Sequence, residues 1–147
     1  MLTALSMVQR GQEVNAVWAD KKGEDDFAFE RATFVDFVRG KNVLVVDDLM
    51  TNADEKGTVY KICRLVEAHG GEVIGVSIVT NRCAGTAEQL GVPQLVALAD
   101  VEFYSTTPED CELCKLRIPI VEDIGHGDWF KERNPDYEGK YIKLLTT

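Results

Sequence analysis

Asp47 and Asp48 stand side by side at the end of an apolar run, Val43 to Val46, and a short polar loop leads from them to Gly57-Thr58 at the head of a helical pattern. Carboxylates at such a position accept hydrogen bonds from hydroxyl groups. The free N–H groups and positive dipole end of a following helix favour an anion, and successive N–H groups in the loop add to this. The stretch therefore has the chemistry to hold a ligand that carries both hydroxyls and phosphate. Successive strand residues point to opposite faces, so the two carboxylates cannot do the same job. One is expected to face the ligand crevice and the other to brace the loop.

The elements that position these groups follow from the pattern. Val43 to Val46 is a continuous β-branched and leucine run of the kind covered on both faces, which predicts a central strand of a parallel sheet. In open α/β sheets ligands sit beyond the carboxyl ends of the strands. Gly57 to His69 places Val59, Ile62, Cys63 and Val66 at helical spacing, and His69-Gly70-Gly71 reads as a helix stop. A further buried strand is expected at Val73 to Val79, then a short helix from Gly85 to Leu90 and a strand from Gln94 to Leu98. Upstream, Leu2 to Val8 reads as helix, Val14 to Ala19 as a strand, Lys21 to Asp26 as a polar turn and Phe27 to Phe34 as a returning strand. The alternation gives an α/β class. From Thr106 onward Pro, Cys, Gly and charged residues dominate, which predicts an irregular C-terminal extension closed by a strand from Tyr141 to Leu145, within one domain spanning residues 1–147.

Composition narrows the function. A chain of 147 residues with 45% hydrophobic content has material for a core and is not disordered. Its net charge of −9 gives no uniform field to attract nucleic acid, so an anion site must be a local arrangement. No apolar stretch is long enough to span a bilayer and no secretory leader is evident, which predicts a cytoplasmic protein without membrane or nucleic-acid partners. Cys63, Cys83, Cys111 and Cys114 are too irregular for a disulfide framework and are expected as reduced thiols. Cys111-Glu-Leu-Cys114 has the spacing of half a zinc site, which would need His69, His126 or a second copy of the chain to complete it. His69 is otherwise a helix C-terminal residue favoured by the dipole, and His126 a loop histidine between two glycines.

The segment from Lys41 to Thr58 resembles the phosphoribosyl pyrophosphate (PRPP) motif of the type I phosphoribosyltransferases, a hydrophobic strand running into two acidic residues and a Thr/Gly-rich loop. Three other places are similar to the orotate-type members. Val17 to Lys22 followed by Phe29-Glu-Arg31 looks like their antiparallel hood. Thr80-Asn-Arg82 ends the strand after the PRPP helix, where the family carries a carboxylate-recognising arginine. Pro108 to Lys115 followed by Ile118-Pro119 is similar to their Cys-Pro-Leu-Cys region. The resemblance implies a doubly wound, mostly parallel sheet with a small antiparallel hood.

It also implies roles for individual residues. Asp47 and Asp48 would hold the ribose hydroxyls and stabilise charge at the anomeric carbon. Thr51, Asn52, Ala53, Gly57 and Thr58 would contact phosphate, Lys21 and Lys22 pyrophosphate, and Arg82 the base. Mg²⁺ would enter with PRPP, the second substrate would be a nucleobase, orotate first, and the protein would be a homodimer. Asp54-Glu55-Lys56 interrupts the family's Thr-Gly-Gly stretch, and its two negative charges should weaken phosphate binding. The family's first strand and pyrophosphate loop precede the helix at Leu2 to Val8, so the chain reads as N-terminally truncated. The expected reaction is phosphoribosyl transfer. The alternatives are a non-catalytic PRPP- or nucleotide-binding member of the same fold, and a response-regulator receiver domain, whose phosphoacceptor Asp has no counterpart at Asn81-Arg82.

Overall fold

The computed structural model describes residues 2–23, 26–101 and 110–144. They form two compact units, divided after residue 103. The first contains helix α1 (Leu2–Gln9), a hairpin of β1 (Asp20–Lys22) and β2 (Asp26–Ala28), α2 (Ala32–Val38), β3 (Asn42–Met50), α3 (Thr58–Ala68), β4 (Glu72–Asn81), α4 (Ala87–Leu90) and β5 (Leu95–Asp100). The second contains α5 (Glu112–Lys115), β6 (Ile120–Val121), α6 (Gly127–Arg133) and β7 (Tyr141–Ile142).

The first unit is built on a parallel sheet in the order β3-β4-β5. The register sets Val45 beside Val76 and Asp47 beside Ile78, then Val76 beside Leu95 and Ile78 beside Ala97. Helix α3 supplies the other half of the core. Val59, Cys63 and Val66 recur on one face and are almost completely buried, joining Val45, Val76 and Ile78 in one cluster. The Cys63 thiol, pushed up to about 11 by burial, behaves there as a small hydrophobe. The helix stops where expected, with Gly70 in the left-handed region at φ +80°. A Cβ on Gly71 would come within 2.8 Å of both Val38 and Val66 side chains, so this residue must be small for the chain to turn into β4. Helix α4 is closed at both ends. Thr86 and Gln89 form a reciprocal capping box, and Gly91 takes the left-handed C-cap. Arg64 Nη2 donates to the Leu90 carbonyl at 2.8 Å and links α3 to α4.

The α/β class, the parallel strands and the small antiparallel hairpin match the expectation from sequence. Several particulars differ. The expected strand from Val14 to Ala19 has no regular structure, and the hairpin lies later, at Asp20–Lys22 and Asp26–Ala28. Its second strand ends at Ala28, and residues 32–38 are helical instead of continuing to Phe34 as a strand. Phe34 and Val38, four residues apart, are both buried by this helix, a spacing that the alternation of the preceding residues masked. β3 continues through the two aspartates to Met50 and does not stop at Val46. It is also an edge strand of the three, with β4 in the centre.

The burial of the sheet is one-sided among the described residues of this unit. Val46, Val79, Val96 and Leu98 share one face by the register, and all four are exposed, Leu98 at 82%. A continuous apolar run reads as a strand covered twice, yet nothing in the run specifies what forms the second layer.

The second unit, expected as an irregular extension, has regular pieces of its own. β6 and β7 pair in parallel, and Tyr137 packs edge-on to both Phe130 and Tyr141. The final strand ends at Ile142, and Leu145 lies outside the described residues.

Truncation tests this division of faces. Ile78→Ala, on the covered face of β4, is expected to cost about 2–5 kcal/mol in urea denaturation. Leu98→Ala is expected to stay within about 0.5 kcal/mol.

Candidate functional site

Asp47 and Asp48 lie near the carboxyl end of β3, one on each face as strand geometry demands. Asp47 falls on the covered side with Val45 and is half-buried, whereas Asp48 is exposed. The Asp48 N–H donates to Asp47 Oδ1 at 2.9 Å. Burial raises the Asp47 carboxyl above its ordinary value, and the charge of Asp48 adds to this while the backbone bond opposes it. The pair is therefore asymmetric: a desolvated carboxyl behind an open one.

The loop that follows is held by its own residues. Ala53 is buried in the core, so its side chain anchors the loop and only its backbone can face a ligand. Thr51, Asn52 and Thr58 are exposed. The Asp54 carbonyl accepts the Gly57 N–H at 2.9 Å, and its carboxylate accepts the Lys56 N–H at 2.9 Å. The charged insertion is thus a tight, self-bonded turn with its three side chains in solvent. Gly57, not Thr58, occupies the N-cap position of α3. A Cβ on Gly57 would fall on the Asn52 carbonyl, so the loop closes on itself only because this residue is glycine. The first N–H groups of the 11-residue helix α3 lack intrahelical acceptors and open at this point.

A second loop meets the first. Arg82 N–H donates to the Met50 carbonyl at 2.8 Å, which pins the end of β4 to the end of β3. Gly85 packs so closely that an added Cβ would lie 2.6 Å from Ala53 Cβ and 2.7 Å from Met50 Cε. The acidic pair, the phosphate-type loop and the Arg82 turn are thereby brought to one end of the sheet. An open cleft lies beside this turn, lined by Asn81, Ala84, Gly85, Asp100 and Val101.

Other expected residues are not joined to this cluster. Lys21 and Lys22 are exposed on the hairpin, whose downstream Phe29 packs edge-on to His69 at the far end of α3 from Gly57. His69 Nδ1 lies 2.8 Å from the Leu65 carbonyl. Cys111 is the N-cap of α5. Its Sγ accepts the Cys114 N–H at 3.4 Å, and this bond is the main reason the Cys111 thiol lies below its ordinary value. Among the described residues no group of three or more potential ligands surrounds this pair. His126 lies in a turn, as expected of a loop histidine, at the N-cap position of α6. Asn81 and Asp100, which line the cleft and are joined at 2.9 Å, carry no motif that marks them in the sequence. The only signal for them was a polar residue directly before Arg82 and an acidic one ending the next strand.

The shift on Asp47 makes a pH prediction. Because its folded value is raised, the folded state binds more protons than the unfolded state just above pH 3.8, and stability falls as pH rises through that window. Asp47→Asn keeps an acceptor for the Asp48 N–H and removes the buried charge. It is expected to raise Tm at pH 7, and the gain should vanish near pH 3 in paired thermal melts.

Several orotate phosphoribosyltransferases are similar in sequence to this chain. The orotate phosphoribosyltransferase of Caldanaerobacter subterraneus subsp. tengcongensis is 35% identical over 115 residues, covering 78% of this chain and 56% of that protein. That of Caldicellulosiruptor bescii is 39% identical over 83 residues, 56% of this chain and 41% of its own. That of Thermus thermophilus is 30% identical over 116 residues, 79% of this chain and 60% of its own. The chain spans about half the length of the curated relatives it matches. No protein-family model matches it. No solved structure matches it either. No helix among the described residues is long and apolar enough to cross a membrane. The parallel α/β sheet and these identities make the chain similar to the orotate phosphoribosyltransferases and type I phosphoribosyltransferase-like in fold.

Proposed function

We propose that this chain carries the PRPP-binding end of an orotate phosphoribosyltransferase. The observation that carries the reading is Asp47-Asp48 on β3, followed by a loop that closes onto the free N–H groups of α3. The reaction breaks the bond between C1 of the ribose and pyrophosphate and forms one between C1 and a ring nitrogen of orotate. Positive charge develops on the sugar in between. The protein needs to do little covalent work, so positioning and electrostatics carry most of the rate.

Each residue then has a task that its surroundings fit. Asp48, exposed, accepts hydrogen bonds from the ribose hydroxyls, and Asp47 behind it adds negative potential near C1. Thr51, Asn52 and Thr58, with the backbone of Ala53 and Gly57, hold the 5′-phosphate at the head of α3. Arg82 pairs with the orotate carboxylate in a bidentate fork. Lys21 and Lys22 contact pyrophosphate in this scheme. The carboxylates point to opposite faces, so they do not form a joint metal cage. Mg²⁺ would enter on PRPP oxygens and supply neutralisation of the pyrophosphate charge as that group leaves, with the exposed Asp48 able to contribute a carboxylate oxygen to it. The same reading makes the protein a homodimer in the cytoplasm, with one family domain and the second compact unit as its C-terminal extension.

The loop supports one further reading. Asp54 and Glu55 project into solvent beside the phosphate position, which favours a member that binds PRPP or nucleotide without turning it over.

Turnover separates the two. With Mg²⁺, PRPP and orotate, formation of the nucleotide is expected, with Asp48→Asn lowering kcat/KM roughly 10²-fold. Arg82→Ala is expected to raise the orotate KM about tenfold or more, the loss of a charged hydrogen-bonded pair. PRPP binding by calorimetry without turnover would select the binding-only reading. Absence of PRPP binding would remove both.

A further inference from the structure

Asn81 is the one buried polar residue in the core of the described chain, 4% exposed at the end of β4. Its amide is used at every position. Nδ2 donates to the Gly85 carbonyl at 3.0 Å and to Asp100 Oδ1 at 2.9 Å. Oδ1 accepts the Gly85 N–H at 3.1 Å and the Cys83 N–H at 3.4 Å. The turn from Cys83 to Gly85 is thus wound around this side chain, with Ala84 held in the left-handed region at φ +49°. A non-glycine residue at such a φ stays there only when its surroundings enforce it. The Asn81 carbonyl accepts the Val101 N–H at 2.9 Å, so the same residue also binds the end of β5 through its backbone.

Arg82 lies between these anchors. Its own N–H is bonded to the Met50 carbonyl on the β3 side, and its neighbours on both sides are fixed to β5 or to the turn by Asn81. A two-point pair between a planar guanidinium and a carboxylate is geometrically demanding, and misplacing a substrate-positioning group by about 1 Å can cost roughly 10²-fold in rate. We propose that Asn81 is a positioning residue for the recognition of an anionic base: by tying the 83–85 turn to Asp100, it sets the point at which Arg82 leaves the sheet. The inference rests on the reading of Arg82 as the base-binding residue.

Asparagine is required here for a chemical reason. An aspartate of the same shape could still accept the two N–H groups. It could not donate to Gly85 or Asp100, and it would set a second negative charge against the Asp100 carboxylate.

The test uses steady-state kinetics with orotate and PRPP on the full chain, with a thermal melt of every variant. Asn81→Asp is expected to raise the orotate KM about tenfold while the PRPP KM changes less than about threefold, a tenfold change being one 1.36 kcal/mol step. Adding Asp100→Asn restores the donor–acceptor pair between positions 81 and 100 with the roles exchanged, and is expected to recover part of the orotate KM, the bond to the Gly85 carbonyl remaining lost. Should Asn81→Asp fail to fold, Asp100→Ala removes the same tie from the exposed side and is expected to raise the orotate KM selectively. Equal changes in both KM values, or no recovery in the exchanged pair, would overturn the inference while leaving the role of Arg82 intact. A wild-type chain that neither binds nor converts orotate would overturn both.

Discussion

The close approach of Gly85 to Ala53 and Met50 is the contact on which the site depends. It fuses two loops that follow different strands, one leaving β3 after the paired aspartates and one leaving β4 at Arg82. The contact tolerates no Cβ, so the separation between the loops is set by van der Waals radii and not by flexible side chains. The hydrogen bond from Arg82 N–H to the Met50 carbonyl holds the same junction along the backbone. An acidic pair, a helix N-terminus and an arginine turn could each occur in many α/β proteins. Their convergence here comes from this packed seam.

Behind the seam, the core of the first unit works as a rigid support. The Val59, Cys63 and Val66 stripe of α3 lies against Val45, Val76 and Ile78, and Arg64 joins α3 to α4 through the Leu90 carbonyl. Such a base allows the site to keep costly local features. Asp47 is ionisable and half-buried, Asn81 is polar and buried, and Ala84 has a left-handed backbone. Features of this kind persist where surrounding packing over-determines them, and they concentrate where a ligand must be met by preorganised groups.

The helices of the site show how much local sequence can say. α3 is legible from its apolar spacing and its His69-Gly70-Gly71 stop, because an amphipathic stripe and a left-handed glycine are local demands. α4 likewise announces itself through Thr86, Gln89 and Gly91. The hairpin does not: Val14 to Ala19 alternates like a strand but finds no partner there, since strand formation depends on pairing that the segment does not encode. α2 was hidden for the opposite reason. Its two buried residues, Phe34 and Val38, become a helical face only once a core exists for them to meet.

By itself, the sequence determined the local elements of the first loop and the similarity they carry: the strand, Asp47-Asp48, the glycine that admits the helix and the position of Arg82. These depend on backbone geometry and charge within a few residues, which local sequence encodes. The tertiary structure alone decided that the two carboxylates are unequal, that Ala53 anchors the loop from inside the core, and that Asn81 reaches Asp100 to hold the Arg82 turn. Desolvation and hydrogen bonding between residues 19 positions apart depend on which atoms the fold brings together, and no local pattern in the chain specifies that.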